Sequence, residues 1–345
     1  MANRRFLFPV MVFSLLLFLP LRNAGATWTI EYAEVSKEFI HITQRSIAVD
    51  TGGHPHIAYG RPHLHYAYHD GTRWHYDVAD TSRGVGDYAS IALDPMGKAH
   101  ISYFDGGNAD LKYATNACGS WEIRTVDSTG VVGTYTSIAT DSAGYAHISY
   151  IDMTNRDLKY ATNAGGEWQT HKVDISGDID QYTSIAVDVS GGVHISYCDS
   201  TLHVIKYATN SSGSWHTQAV DGSGDVGMYT SIGIDTAGSI HISYYDKTNR
   251  DLKYALKASG SWQTYRWMAT SMRESIPPWI STSGGMSISA ILTGRTSSTP
   301  PIHHIPTSPR ILQPITSRTY CREVRQALWS SPFPTSAMWI FISPG

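Results

Sequence analysis

The amino-acid sequence predicts an all-β fold, a β-propeller of four-stranded blades. Three observations support this: a regular repeat, four strand-like segments in each repeat, and a fixed placing of small and large residues. Five tryptophans stand 47 residues apart, at Trp74, Trp121, Trp168, Trp215 and Trp262. A fixed period of this size marks a solenoid or a propeller.

Each repeat contains four short segments separated by turn residues. In the unit from Tyr135 to Asp174, the predicted strands A, B, C and D cover residues 137–140, 146–151, 158–162 and 167–173. The connections are rich in Gly, Asn and Asp, which favour tight turns. No helical periodicity appears in any unit. Four short antiparallel strands repeated at this period are typical of a propeller blade.

The first and last strands of each unit differ in the size of their side chains. Strand A begins Ser-Ile-Ala or Ser-Ile-Gly, which suits the crowded centre where blades converge, and the tryptophans open strand D, where blades splay apart. Five complete units begin near residues 46, 90, 137, 184 and 231. They resemble exported bacterial propellers built from SIAxD…HISYxD…LKYATN…W repeats, and more loosely NHL-type repeats. This resemblance implies the fold and no particular activity.

The N-terminus reads as a secretory signal peptide over residues 1–26. Arg4 and Arg5 precede an apolar run, and Ala24-Gly25-Ala26 matches the small-residue cleavage pattern, so cleavage is expected after Ala26. An uncleaved anchor helix is the alternative, although the run is shorter than the ~20 residues that span a bilayer. The mature protein is expected to be secreted or periplasmic, with no membrane span.

The segment Trp28–Ala33 resembles a lone strand D ahead of the five units. Such a strand closes a propeller ring when strands A, B and C follow at the other terminus. The repeat region, residues 27–276, does begin a sixth strand A at Ser275-Ile276.

The composition changes after Ile276: residues 277–345 contain no Asp and no Lys but ten of the 15 Pro. A disordered tail is one explanation. Back-translation favours another, because a second reading frame continues Ser275-Ile276 with AVD and turns GGMSISAILTGRTSSTPP into HVHISYFDGTNFKYAT. We therefore interpret 277–345 as frameshifted, non-native sequence, so Cys321 and the tail histidines are not read as chemistry. The intact parent would have six blades or more, whereas here either five blades close or an edge stays open.

The composition and motifs of the sequence argue against several classes of function. The net charge of −3, with no basic run beyond the N-terminus, argues against nucleic acid as a partner. Three Cys do not make a disulfide framework. No nucleophile, HExxH or paired-glutamate signature appears, so no cofactor is expected. We expect a monomer with an extracellular or envelope ligand, for which a glycan is the candidate.

The candidate ligand-binding residues lie on the D–A and B–C connections. The first group is a tyrosine just before strand A: Tyr88, Tyr135, Tyr182 and Tyr229. The second group is acidic or amide residues of the B–C turns: Asp105, Asp152, Asp199, Asp246, Asn108, Asn155 and Asn249. Aromatic faces beside Asp and Asn side chains can hold sugars by stacking and hydrogen bonding. The alternative is that Asp and Asn only cap their own turns.

Two sets of histidines are also considered as metal ligands. His100, His147, His194 and His241 open strand B in successive units, and hydrogen bonds between blades explain them better than a metal. In the first unit, His63, His65 and His69 alternate along strand C, which places them on one face as a weak metal candidate.

The sequence thus predicts an exported repeat propeller that recognises a ligand or acts as a scaffold, with no catalysis evident. A propeller-type glycoside hydrolase or lyase is the alternative, and it would need a unique carboxylate pair facing the channel. The third interpretation is that the chain is a truncated, non-functional product.

Overall fold

The computed structural model describes residues 45–60, 62–179 and 181–268. These residues belong to one compact unit and form five antiparallel sheets of four strands each. The predicted signal peptide, the segment 28–33 and the tail from residue 277 lie outside the described residues. Within the described ranges there is no helix, and so none that would be long and apolar enough to cross a bilayer.

Each sheet is one blade, and its strands follow one another in chain order. The first blade comprises β1 (Ile47–Val49), β2 (Pro55–Gly60), β3 (Leu64–His69) and β4 (Trp74–Asp80). The second comprises β5 (Val85–Leu93), β6 (Ala99–Asp105), β7 (Asp110–Thr115) and β8 (Glu122–Asp127). The third comprises β9 (Val132–Thr140), β10 (Ala146–Asp152), β11 (Asp157–Thr162) and β12 (Gln169–Asp174). The fourth comprises β13 (Thr183–Val187), β14 (Val193–Asp199), β15 (Val204–Thr209) and β16 (His216–Asp221). The fifth comprises β17 (Val226–Ile234), β18 (Ile240–Asp246), β19 (Asp251–Lys257) and β20 (Gln263–Met268).

The predicted fold class is confirmed: the described residues form an all-β propeller with five four-stranded blades. Its A–B turns form because an aspartate caps them. Asp141 Oδ1 accepts hydrogen bonds from the backbone N–H groups of Ala143 and Tyr145, both at 2.9 Å. Gly144 in the same turn has φ +85°, a conformation that glycine adopts without a steric penalty.

The first strands of the blades contact one another and form the inner wall of the propeller. The strand A serines of the first four blades are buried, and they join consecutive blades. Ser137 Oγ accepts a hydrogen bond from Ile185 N–H of the next blade at 3.3 Å, and Ser184 Oγ accepts one from Ile232 N–H at 3.1 Å. A larger side chain would separate these strands, which explains the small residue at this position.

The outer half of each blade is filled by aromatic contact between neighbours. The tryptophan that precedes strand D packs edge-on against a strand C tyrosine of the preceding blade. The pairs and their centroid distances are Tyr66–Trp121 at 5.2 Å, Tyr113–Trp168 at 4.9 Å, Tyr160–Trp215 at 5.2 Å and Tyr207–Trp262 at 5.3 Å. The sequence-based role of the tryptophans as fillers between blades is confirmed.

A buried ion pair also connects each blade to the next; we call it the blade clamp. Asp80 ends strand D of the first blade, and its Oδ2 accepts hydrogen bonds from Tyr103 Oη at 2.6 Å and Lys112 Nζ at 2.8 Å in the second blade. The same groups recur as Asp127, Tyr150 and Lys159; as Asp174, Tyr197 and Lys206; and as Asp221, Tyr244 and Lys253. These donors hold the pKa of Asp80 at about 2, against the opposing effect of burial.

The prediction that the repeated histidines bond between blades is wrong. His147 Nδ1 lies 2.6 Å from Tyr160 Oη, and its Nε2 lies 3.3 Å from Asp141 Oδ2; both partners belong to the same blade. The histidine points along its own sheet toward strand C and the A–B turn, so it ties three elements of one blade together. The polar bonds between blades include those of the blade clamp and those of the strand A serines.

Strand A is longer than predicted in three blades. β9 begins at Val132, where the sequence predicted a loop up to residue 136, and β5 and β17 are extended in the same way. The extension is irregular: the pairing of β9 with β10 shifts register between Ser149 and Asp152. Gly133 and Tyr135 account for this, because both have positive φ, +98° and +49°. These bulges decide where the candidate tyrosines point.

Candidate functional site

Four tyrosines from successive blades form a continuous row; we call it the tyrosine arc. The centroids are 4.6 Å apart for Tyr88 and Tyr135, 5.2 Å for Tyr135 and Tyr182, and 4.5 Å for Tyr182 and Tyr229. Each tyrosine stands one residue before the small residue and serine of strand A. The arc therefore runs along the entrance to the inner wall.

The backbone conformation brings the rings together. All four tyrosines have φ between +49° and +55°, a region that bulky residues rarely adopt. β-Bulges re-aim side chains out of the regular alternation of a strand, and such a bulge lies at this place in β5, β9 and β17. Backbone strain that recurs at one site is a reason to suspect a functional role there.

The arc is accessible, and one end is more open than the other. Tyr229 is 40% exposed, whereas Tyr88, Tyr135 and Tyr182 are partly buried. Burial and a hydrogen bond with Tyr229 raise the pKa of Tyr182, so this phenol stays protonated at neutral pH. The arc thus presents neutral aromatic surface with hydroxyl groups.

Further aromatic rings support both ends of the arc. Phe104 meets Tyr88 edge-on at 6.3 Å, and Tyr245 meets Tyr229 at the same distance. Phe104 and Tyr245 both lie at the end of strand B in their blades. At the open end, Tyr182, Tyr229 and Tyr245 form a cluster of three partly exposed or exposed rings.

A single arginine crosses the channel below the arc. Arg45 precedes strand A of the first blade, where the other blades have Ala89, Thr136, Thr183 or Thr230. Its Nη2 donates to Ser184 Oγ at 2.7 Å and to the Ile232 carbonyl at 2.6 Å, in the fourth and fifth blades. Burial lowers its pKa to about 10, so the guanidinium is charged at neutral pH. This side chain links three inner strands.

The loops around the arc are fixed by backbone hydrogen bonds. The D–A loop between the third and fourth blades is held from both sides, because Ile179 N–H donates to the Arg156 carbonyl at 3.0 Å and Ser200 N–H donates to the Asp178 carbonyl at 3.0 Å. Those carbonyl and amide groups belong to D–A loops and adjacent B–C turns. The D–A loops therefore lie beside the adjacent B–C turns.

The structure places the predicted B–C aspartates and asparagines inside their turns. Asp152 is buried; its Oδ1 accepts from Thr154 N–H at 3.0 Å and its Oδ2 accepts from the Asn155 amide at 2.9 Å. The equivalent turns use Asp105 with Asn108, Asp246 with Asn249, and Asp199 with the backbone of Thr201 and Leu202. The four carboxylates thus accept hydrogen bonds within their own turns, and the tyrosines of the arc are more exposed than these aspartates.

Of the three histidines of β3 and its approach, His63 and His65 have ring centroids 6.3 Å apart, whereas His69 has other partners. His63 Nδ1 lies 2.9 Å from the Ser82 carbonyl, His65 is buried and stacks on Tyr59 at 5.2 Å, and His69 packs near Trp74. In the described part of the chain, no group of three or more His, Cys, Asp or Glu side chains is placed to hold a metal ion.

In the blade clamp, one lysine lies beside two carboxylates. Lys112 Nζ lies 2.8 Å from Asp80 Oδ2 and 3.9 Å from Asp105 Oδ2. Glycoside hydrolysis needs one carboxyl group with a raised pKa as general acid, whereas the pKa of Asp80 is lowered and both groups are buried. This arrangement suits a structural role.

Comparison with known proteins finds no matching family and no matching curated protein. Among solved structures, AofleA from Arthrobotrys oligospora is 12% identical, with a TM-score of 0.47 over 62% of this chain and 68% of that chain. A variant of Aleuria aurantia lectin in complex with Fucα1-6GlcNAc is 11% identical, with a TM-score of 0.48 over 64% and 76%. An ulvan lyase is 14% identical, with a TM-score of 0.46 over 70% and 73%. Each is a likeness of fold between chains of low identity.

Sequence reasoning missed several residues that shape the site. Arg45 gives no repeat signal, because it replaces a small residue in only one unit. Tyr245 and Phe104 occupy a variable position, which hides their contact with the arc. The clamp lysines could have been found, since Lys112, Lys159, Lys206 and Lys253 recur with the same 47-residue period.

Proposed function

We propose that the protein is a carbohydrate-recognition propeller that binds glycans along the tyrosine arc. The observation that carries this proposal is the arc itself: four rings in continuous contact at the entrance to the inner wall, each on a tyrosine with positive φ. Nothing in the fold requires a tyrosine at these positive φ angles, where glycine or asparagine would be the less strained choice.

The chemistry of the arc matches a sugar. A pyranose offers an apolar C–H face, which stacks on aromatic rings, and a rim of hydroxyl groups, which exchange hydrogen bonds with phenols. The high pKa of Tyr182 keeps its phenol neutral, so it both donates and accepts. A row of rings from several blades gives several weak contacts to one chain, and such contacts combine into avidity.

The proposal is tested with three single variants on a glycan array, followed by titration of the best saccharide. Tyr182→Ala and Tyr229→Ala each remove one ring, and each is expected to weaken binding by about tenfold, the loss of one stacking contact. Tyr145→Ala is the matched control, because Tyr145 is 41% exposed, as Tyr229 is at 40%, but lies on an A–B turn. Its binding should equal that of the unaltered protein.

The proposal fails if no saccharide binds. It also fails if binding persists unchanged in both arc variants. Retained folding is checked by the thermal transition, since all three substitutions remove a ring that is at least partly exposed.

We further propose that the chain is exported through the signal peptide at residues 1–26, and that residues 277–345 are the product of a frameshift. The basic and apolar segments of the N-terminus support export. The loss of all Asp and Lys after residue 276 supports the frameshift. Sequencing codons 270–305 from independent DNA tests it, because a restored frame would spell the missing B and C strands. Mass spectrometry of the exported protein tests cleavage after Ala26.

A further inference from the structure

We infer, on the basis of the proposed function, that the tyrosine arc binds a coiled oligosaccharide rather than an extended one. Oligosaccharides of α-linked glucose coil, because each linkage turns the next sugar in the same direction. Oligosaccharides of β-linked glucose stay extended, because alternate sugars face opposite sides of a straight chain. The way in which the four rings turn from blade to blade matches the coiled shape.

Neighbouring rings of the arc are turned relative to one another. The ring planes meet at 41° for Tyr88 and Tyr135, at 63° for Tyr135 and Tyr182, and at 50° for Tyr182 and Tyr229. A large turn therefore occurs at each of the three steps, and no neighbouring pair is parallel.

The three turns go in the same direction around the channel, because each blade joins the next through the same contact. Ser90 Oγ accepts a hydrogen bond from Ile138 N–H at 3.2 Å, and Ser137 Oγ accepts one from Ile185 N–H at 3.3 Å. The same contact recurs between the fourth and fifth blades at 3.1 Å. A repeated contact rotates each blade on the next by a similar amount, so the rotations add up. The four rings thus lie on a curve around the channel entrance.

The spacing of the rings along this curve suits consecutive sugars. Neighbouring centroids are 4.6, 5.2 and 4.5 Å apart. A pyranose is a six-membered ring of similar width to a phenol ring, and linked sugars follow one another through a single oxygen. Consecutive sugars can therefore stack on consecutive tyrosines, provided that the chain turns as the rings do. A straight chain leaves the curve after two neighbouring rings.

The number of rings that a chain can reach sets the size of the preference. A coiled chain can stack on all four tyrosines of the arc, whereas an extended chain can stack on two neighbours. Each stacking contact changes the dissociation constant by roughly threefold to tenfold. A coiled chain is therefore expected to bind at least about tenfold more tightly than an extended chain of the same sugars.

Calorimetric titration of the full chain with maltohexaose and cellohexaose tests this inference. The two ligands contain the same glucose units in equal number and differ in the configuration of the linkage, so cellohexaose is the matched control. Maltohexaose is expected to bind at least about tenfold more tightly, with one chain per protein molecule. The affinity should also rise from maltose to maltotetraose and then level off, because the arc contains four rings.

Two variants connect this preference to the arc. Tyr182→Ala interrupts the curve in its middle, so the difference between the two ligands should fall to about threefold or less. Tyr145→Ala is the control variant, because Tyr145 is 41% exposed and lies on an A–B turn, away from the arc. It should leave the difference between the ligands unchanged.

Equal or tighter binding of cellohexaose would overturn the inference, and so would the absence of maltohexaose binding. In either case the proposed function still stands if another saccharide binds and loses affinity in Tyr182→Ala and Tyr229→Ala. If no saccharide binds, the proposed function and the inference fail together.

Discussion

We predict that Asp80→Asn, which removes the acid of one blade clamp, destabilises the protein. Asp80 is 5% exposed, and its Oδ2 receives Tyr103 Oη at 2.6 Å and Lys112 Nζ at 2.8 Å. Asparagine keeps the shape but removes the charge, so Lys112 remains buried with only Asp105, at 3.9 Å, as a carboxylate neighbour.

The structure sets the size of the expected loss. A pKa of about 2 against the ordinary 3.8 corresponds to about 2 kcal/mol of stabilisation of the charged form. Breaking a buried ion pair by removing one partner costs about 3–5 kcal/mol, because the other charge stays buried. We therefore expect Asp80→Asn to lower the free energy of unfolding by about 2–4 kcal/mol at pH 7.

Urea unfolding followed by tryptophan fluorescence measures this loss. Arg124→Ala is the control, because its ion pair with Glu122 is exposed, 63% and 42% for the two side chains, and should cost less than about 1 kcal/mol. The folded-state pKa of Asp80 is depressed, so its contribution is complete above the unfolded value and is lost as the pH falls. The difference between Asp80→Asn and the unaltered protein should shrink from pH 4 to pH 2. A loss below about 0.5 kcal/mol at pH 7 would refute the reasoning.

Two further predictions concern the loops and the repeated histidines. Gly133→Ala should destabilise the protein by at least about 1 kcal/mol more than Gly166→Ala. Both glycines have positive φ, but a Cβ at Gly133 would lie 2.7 Å from Leu111 Cα, whereas one at Gly166 meets nothing within 4 Å; equal urea midpoints for the two variants would contradict this. Burial lowers the pKa of His100 and His147, so the unfolded state binds more protons and stability should fall as the pH drops below about 6.5. Urea midpoints at pH 7.5, 6.5 and 5.5 check the direction, and a midpoint that holds constant or rises on acidification would be incompatible with it.

The fold was predictable because each blade repeats the same local sequence signals. Turn-forming aspartates and glycines separate the strands, Ser137 and its equivalents mark the inner strand, and Trp168 and its equivalents mark the outer edge. These signals act within one unit or between adjacent units, so they recur in the sequence with a period of 47 residues. The predicted strands of the third unit agree with β10, β11 and β12 to within about two residues, which is the usual uncertainty of strand ends.

The site was only partly predictable. The tyrosines of the arc were identified from their repeat, but their contact depends on a backbone conformation at positive φ, which a strand pattern does not reveal. The histidine partners were misassigned because periodicity shows that His147 recurs without showing which face it meets. Arg45 escaped because it breaks the repeat once and reaches two blades that are remote in sequence, at Ser184 and Ile232.

The central claim is that the tyrosine arc binds saccharide, and aromatic-resolved NMR with labelled tyrosine tests it most directly. On titration with the best glycan from the array, the ring signals of Tyr182 and Tyr229 should shift with a common saturation curve. The signal of Tyr145, which is equally exposed but remote from the arc, should stay in place. Saccharide binding that moves Tyr145 or other tyrosines while the arc signals remain fixed would contradict the account, as would no shift at saturating glycan.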